Sequence, residues 1–276
     1  MITHIDIGYN GRLGNQLFNY ALLLAMKNKG YSVGIPEKNC TQEKQDGCYD
    51  SYHKKWISYR CYLNDIFKLN IPLLSDIEVN QINFEFSDRD KEYCEELFTL
   101  PQDAKLKGYF QLYRYFDDIR DYIQSNIIFK DEIVTKVNNQ YERKENTVGI
   151  HIRLGDALGH PEVFIPDEKY ITQALSFFDD KEYNYVVFSD NLDICKDWFP
   201  DSPSIRFVDN IDAGESLYLM SQCDNFIMSN STFSWWGVYL MKNKNKRIVC
   251  PKTWIYDVVN NTKWTNNLIP TDWITI

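Results

Sequence analysis

The chain has 276 residues, 44% hydrophobic and 25% charged, the balance of a globular protein with room for two ordinary domains or one large one. A formal net charge of −9 excludes broad nucleic-acid binding, so any anionic ligand must meet locally placed cations. Seven cysteines without a C-x-x-C pair or a nearby His cluster point to a reducing compartment and no zinc site, and no apolar run is long enough to span a bilayer.

The opening, MITHIDIGYNG, lacks the basic and apolar regions of a secretory signal, which predicts a cytoplasmic protein. His4–Tyr9 alternates as a short strand, and Gly8, Gly11 and Gly14 follow at three-residue spacing. Asn15–Lys29 then carries helical apolar spacing, Gly30 stops it, and Tyr31–Ile35 reads as the next strand. Residues 37–60 show no period. Tyr62–Leu69 reads as helix, Gln81–Phe86 and Leu106–Phe110 as strands, and Tyr113–Ile123 and Glu132–Tyr141 as helices. The polar run at 142–146 marks a domain boundary, giving domains 1–143 and 144–276.

Beyond it the alternation is regular. Strands at Val148–Ile152, Tyr185–Ser189, Ile205–Val208, Phe226–Met228 and Arg247–Cys250 are separated by helices at Asp167–Phe178, Leu192–Trp198, Ser216–Gln222 and Phe233–Lys242. That pattern predicts an α/β protein with parallel sheets, built as two Rossmann-like domains facing a cleft.

Two turns carry the candidate chemistry. Val148–Asp156 reads VGIHIRLGD, a strand that delivers Arg153 to the carboxyl edge of its sheet, where open α/β sheets bind ligands. A guanidinium there has forked donors suited to phosphate oxygens, although an ion pair with Asp156 is the plain alternative. Ser229–Thr232 precedes a helix, whose N-terminus favours phosphate; simple N-capping by Ser231 or Thr232 is the alternative. Together the turns suggest one diphosphate site. Trp235 and Trp236 are expected in the core. His151 is either a satisfied core histidine or a pocket residue, and Asp156 and Glu162 are the nearest candidate bases.

Gly8-x-x-Gly11-x-x-Gly14 also fits a dinucleotide turn, but none of the 19 tyrosines has a lysine four residues on, which opposes a nucleotide-sugar epimerase or reductase. The turn reads instead as a close-approach loop, with Asn15 and Gln16 as polar contacts. Asp88-Arg89-Asp90 resembles the D-x-D triplet of metal-dependent glycosyltransferases, though a solvated charged turn explains it equally. A non-catalytic sugar-binding protein is the third alternative.

Taken together, Gly11-Arg12-Leu13-Gly14-Asn15-Gln16-Leu17-Phe18-Asn19-Tyr20-Ala21, His151-Ile152-Arg153-Leu154-Gly155-Asp156 and Ser229-Asn230-Ser231-Thr232-Phe233-Ser234-Trp235-Trp236-Gly237 resemble the bacterial α-1,2-fucosyltransferases of glycosyltransferase family 11. Gly108-Tyr109-Phe110-Gln111 adds to the likeness, which covers nearly the whole chain. The resemblance implies a GT-B architecture, with the acceptor sugar on the first domain and GDP-β-L-fucose on the second. It implies inverting transfer of fucose to O2 of a terminal galactose of an oligosaccharide or polysaccharide, without metal or other cofactor, and with peripheral membrane contact where the acceptor is lipid-linked.

By the same resemblance Arg153 contacts the diphosphate, His151 lies on the guanine side, Ser231 and Thr232 sit at the β-phosphate, and Ser229 belongs to the donor site. Gly11, Asn15, Gln16 and Gln111 belong to the acceptor side. Asp156 or Glu162 takes the proton. The chain departs from the family at Leu154, where a second arginine is usual, at Ala157, and at Ser216, where an aspartate is common; Glu215 beside it is the substitute.

Overall fold

The computed structural model describes residues 1–41, 47–50, 54–58, 60–89 and 92–276. The chain forms two compact units. The first comprises Met1–Cys48, Ile57–Lys130 and Asn266–Pro270; the second comprises Tyr49–Trp56, Asp131–Thr265 and Thr271–Ile276.

In the first unit the elements in chain order are β1 (Ile2–His4), α1 (Leu13–Asn28), β2 (Val33–Pro36) and α2 (Glu37–Thr41). A two-stranded ribbon follows, β3 (Gly47–Asp50) and β4 (Lys55–Ser58), of which residues 49–50 and 55–56 belong to the second unit. Then come α3 (Leu63–Ile66), β5 (Leu73–Leu74), α4 (Asp76–Gln81), β6 (Glu85–Ser87), β7 (Ala104–Lys107) and α5 (Arg120–Asn126). The sheet has the order β5-β2-β1-β7-β6 and every pairing is parallel. Thirteen of the sixteen residues of α1 are buried, as expected of a helix apolar on nearly all sides.

The second unit contains α6 (Asp131–Gln140), β8 (Thr147–Ile152), α7 (Glu168–Leu175), β9 (Asn184–Ser189), α8 (Leu192–Cys195) and β10 (Ile205–Val208). It continues with α9 (Ala213–Ser221), β11 (Asn225–Ile227), α10 (Thr232–Tyr239), β12 (Ile248–Cys250), α11 (Val258–Leu268, whose last three residues belong to the first unit) and β13 (Ile274–Thr275). Its sheet, β10-β9-β8-β11-β12-β13, is also parallel throughout. All six residues of β8 are buried, although Val148, Ile150 and Ile152 alternate with Thr147, Gly149 and His151.

The structure moves several expected boundaries. The first strand ends at His4, not Tyr9, because the backbone turns back at Asp6: the N–H groups of Tyr9 and Asn10 both donate to its carbonyl, at 2.9 and 3.1 Å. The strand expected at Gln81–Phe86 starts later, at Glu85, because α4, begun by a reciprocal capping box of Ser75 and Glu78, runs through Gln81. The run at 142–146 lies within the second unit, because α6 is fastened to α9: Lys136 pairs with Glu215, and Tyr218 donates to Asn138 at 3.4 Å.

The two sheets share one topological property. In the second unit the chain leaves β8 through β9 and β10 on one side, then returns to β11 on the other. In the first it leaves β1 through β2 and β5, then crosses to β6 at the far edge and comes inward to β7. Each sheet therefore has a switch point, between β8 and β11 and between β1 and β7. Loops diverge there at the carboxyl ends of the strands and leave a crevice.

Candidate functional site

In the second unit the switch point is bounded by the loop after β8 and the turn after β11. Arg153 follows the last residue of β8 directly. Its Nε and Nη2 donate to the two carboxylate oxygens of Asp156 at 3.2 and 2.8 Å, and Nη1 donates to the Asn230 carbonyl at 3.4 Å. The ion pair with Asp156 is present, and the arginine sits at the carboxyl edge of the sheet. The fork uses three of the five guanidinium N–H groups and leaves two with no partner among the described residues. With Asp156 buried, the pair fixes the plane of the guanidinium, while the Arg153 side chain is 26% exposed.

From β11 come Ser229, Asn230, Ser231 and Thr232. Ser231 is the N-cap of α10, accepting from the Phe233 N–H at 3.3 Å. Ser229 is wholly buried, its hydroxyl 2.8 Å from His151 Nδ1, so its side chain orients the histidine rather than reaching a ligand. The His151 ring lies 5.8 Å from that of Phe233. His151, Arg153, Asp156, Ser229, Ser231 and Thr232 are therefore gathered around two adjacent strand ends.

A third segment completes this edge, and no periodicity announced it. The Trp254 carbonyl accepts from Asn230 Nδ2 at 2.9 Å and from the Phe164 N–H at 3.0 Å, and Tyr256 N–H donates to the Glu162 carbonyl at 2.8 Å. The loop carrying Glu162 is thereby laced to residues 254–256. The Glu162 carboxylate is exposed, 3.1 Å from His160 Nδ1, and its own backbone N–H followed by His160 holds it below the usual carboxylate range.

Two expected positions stand apart. Glu215 lies in the first turn of α9, buried and paired with Lys136, and its Oε2 has no hydrogen-bond partner among the described residues. Leu154, where a second arginine would stand, is 3% exposed and packs in the apolar core, while its N–H donates to Asp190 at 2.8 Å.

In the first unit Gly11 adopts φ +74°, and a side chain added there would run into Asn15. Asn15 Oδ1 accepts from Gln111 Nε2 at 2.8 Å, joining the first turn of α1 to the loop after β7. Asp6 belongs to the same junction and was not singled out from sequence. It accepts from the Gly108 N–H at 2.8 Å and from Asn10 at 3.0 Å, and burial pushes its carboxyl above the ordinary range. The signal available was an acid placed two residues after a strand and before a glycine-rich turn.

Gln16 corrects an expectation. It is fully buried, donates to the carbonyls of Gly11 and Arg60 at 3.2 and 2.6 Å, and accepts from the Tyr62 N–H at 2.9 Å. It is a clip inside the unit, not a contact for a sugar. Gln16→Leu should destabilise the protein by about 2–4 kcal/mol, because three backbone groups lose their partner. Urea unfolding checks this, and an unchanged midpoint would contradict the clip.

Asp88 braces the turn at Phe110, whose N–H donates to it at 3.1 Å; Asp90 lies outside the described residues. Among the described residues no group of three or more His, Cys, Asp or Glu side chains could hold a metal ion, and no helix is long and apolar enough to cross a membrane.

The family model for glycosyl transferase family 11 matches residues 1–276. Among curated relatives, the O-antigen biosynthesis glycosyltransferase WbnK of Escherichia coli is 27% identical, over 89% of this chain and 93% of its own. An alpha-1,2-colitosyltransferase of Escherichia coli is 25% identical over 88% and 90%. Galactoside alpha-(1,2)-fucosyltransferase 2 of Bos taurus is 26% identical over 83% and 67%. Among solved structures, NodZ alpha-1,6-fucosyltransferase soaked with GDP-fucose superposes with a TM-score of 0.55 at 16% identity, covering 94% of this chain and 96% of its own. A mutant of FUT1 from Arabidopsis thaliana in complex with GDP also gives 0.55, at 15% identity over 90% and 69%. The fold is of the GT-B type.

Proposed function

The chain belongs to glycosyltransferase family 11, and from that membership we propose that it is an inverting, metal-independent galactoside α-1,2-fucosyltransferase using GDP-β-L-fucose. The observation that carries the reading is the convergence of Arg153 and the N-terminus of α10 on one switch point.

Each step has a physical demand. The acceptor, O2 of a terminal galactose, attacks fucose C1 from the face opposite the diphosphate. As the C1–O bond breaks, charge grows on the β-phosphate. The two remaining Arg153 N–H groups and the dipole of α10, with Ser231 and Thr232 at its start, supply fixed donors for that charge. His151, oriented by Ser229, would lie on the guanine side, whereas Glu215 is buried in its pair with Lys136 and takes no part in the reading. Asp156 is committed to Arg153, so Glu162 is the carboxylate left to take the acceptor proton. The first unit, through Gly11, Asn15 and Gln111, would hold the acceptor.

The relatives favour a second donor, a colitosyl nucleotide, since one of them is named for that sugar. The acceptor belongs to an oligosaccharide or polysaccharide, reached from the cytoplasm and, where it is lipid-linked, at the inner face of the membrane. The test is GDP release over a panel of galactosides with GDP-fucose and GDP-colitose, and NMR of the product linkage. Fucose on galactose O2 is expected; release with the colitosyl donor alone, or another linkage, would overturn the proposal as stated. Full activity in EDTA is also expected, because side-chain and backbone donors stabilise the leaving group. Loss in EDTA with recovery in Mn²⁺ would return the Asp88–Asp90 triplet to the mechanism.

A further inference from the structure

We propose that Cys40 and Cys61 form a reactive dithiol that small disulfide oxidants convert to a disulfide, locking the two segments that brace the glycine turn at residues 8–14. The inference does not rest on the transfer reaction, and its test needs no turnover.

The two sulfurs lie 3.3 Å apart and neither cysteine is in a disulfide. To bond, they must close by about 1.3 Å. Cys40 is half-buried on α2, whereas Cys61 is 5% exposed, so an incoming oxidant meets Cys40 first. The hydrogen bond with Cys40 pulls the Cys61 thiol below its ordinary range. Burial pushes Cys195, Cys223 and Cys250 in the opposite direction, which disfavours their thiolates.

Position gives the pair its meaning. On one side, Asn39 donates to the Ile5 carbonyl at 2.7 Å, ahead of the turn. On the other, Gln16 grips Arg60 and Tyr62, the residues flanking Cys61, while also holding the Gly11 carbonyl. Gly8, at φ +84°, is pressed against both: a Cβ there would lie 2.7 Å from the Asn39 carbonyl and 3.3 Å from Cys61 Cβ. A bond between Cys40 and Cys61 would tie these two supports covalently.

The exchange runs in two steps. The Cys40 thiolate attacks one sulfur of the oxidant R–S–S–R, forming a mixed disulfide and releasing R–S⁻, which takes up the thiol proton. The Cys61 thiolate then attacks Cys40 Sγ, expelling the second R–S⁻. Two protein thiols are oxidised and one small disulfide is reduced to two thiols.

The experiment treats the reduced full-length protein with oxidised glutathione, then maps its peptides by mass spectrometry. The expected result is a loss of two hydrogens, a Cys40–Cys61 cross-linked peptide reversed by dithiothreitol, and an unfolding midpoint raised by about 5 °C. Cys61→Ser should halt at a glutathione adduct on Cys40, and Cys40→Ser should give neither adduct nor cross-link. A cross-link to any of the other five cysteines, a stable glutathione adduct on the unsubstituted protein, or no reaction overturns the dithiol. A cross-link that leaves the midpoint unchanged or lowers it overturns the locking. The mapping is done on the unsubstituted protein, so a variant that fails to fold does not spare the proposal.

Discussion

Arg153→Ala should lower kcat/KM by about a hundredfold or more, as removal of a preorganised charged donor from a leaving-group site does. The size of the loss follows from what surrounds the side chain. Position 154 holds a leucine packed in the core, so no neighbouring guanidinium can substitute. Asp156 already neutralises much of the charge, which makes the two spare N–H groups valuable mainly for their direction. Arg153→Lys should therefore recover little, because an ammonium cannot hold Asp156 through two atoms and a phosphate at the same time. Asp156→Asn should cost less than loss of the arginine, since it loosens the fork without removing the donors. Steady-state kinetics on folded variants, checked by circular dichroism, decide the matter. A near-normal rate for Arg153→Ala would remove this residue from the reaction.

Trp235→Ala should reduce stability by about 3–5 kcal/mol. Trp235 is completely buried, stacked on Tyr239 at 4.9 Å and 15°, and in edge contact with Trp236 at 5.1 Å. Trp273, just before β13, lies 5.9 Å away. Few side chains leave a larger cavity, and three aromatic neighbours have little freedom to collapse into it. Because the same residue anchors the first turn of α10, the variant should also lose activity while still folded at low temperature. Urea unfolding measures the first effect and GDP release the second. A cost under about 1 kcal/mol would mean that the aromatic cluster is not the anchor of this helix.

The strands and helices that frame the second switch point were legible because they are apolar and buried. β8 and α10 lie within a few residues of their expected ends, and Trp235 and Trp236 are in the core as foreseen. Long-range pairings were not legible. Two of Gln16's three partners lie more than forty residues away, so local sequence made it a polar contact of the loop when it is an interior clip. The Ser229–His151 bond spans 78 residues and depends on β8 and β11 being neighbours, a fact of strand order that no local pattern encodes. Helix α11 escaped notice for a different reason. Its sequence, VVNNTKWTNNL, has no clear apolar face, and it is held by polar bonds: Asn261 accepts from the N–H groups of Trp254 and Ile255, and Asp257 from that of Asn260.

The central strand of the second unit has a history that its final position conceals. Its register sets Val148 opposite Asn225, 77 residues later. At ribosomal speeds of about 5–20 residues per second, that edge waits roughly 4 to 15 s for its partner after β8 has been synthesised. β9 can cover the opposite edge sooner, but the side destined for β11 stays unpaired on the nascent chain, apolar and open to strands of other molecules. Yield in a cell should therefore depend on temperature and on chaperones that shield growing polypeptides, even though the finished sheet buries that edge completely.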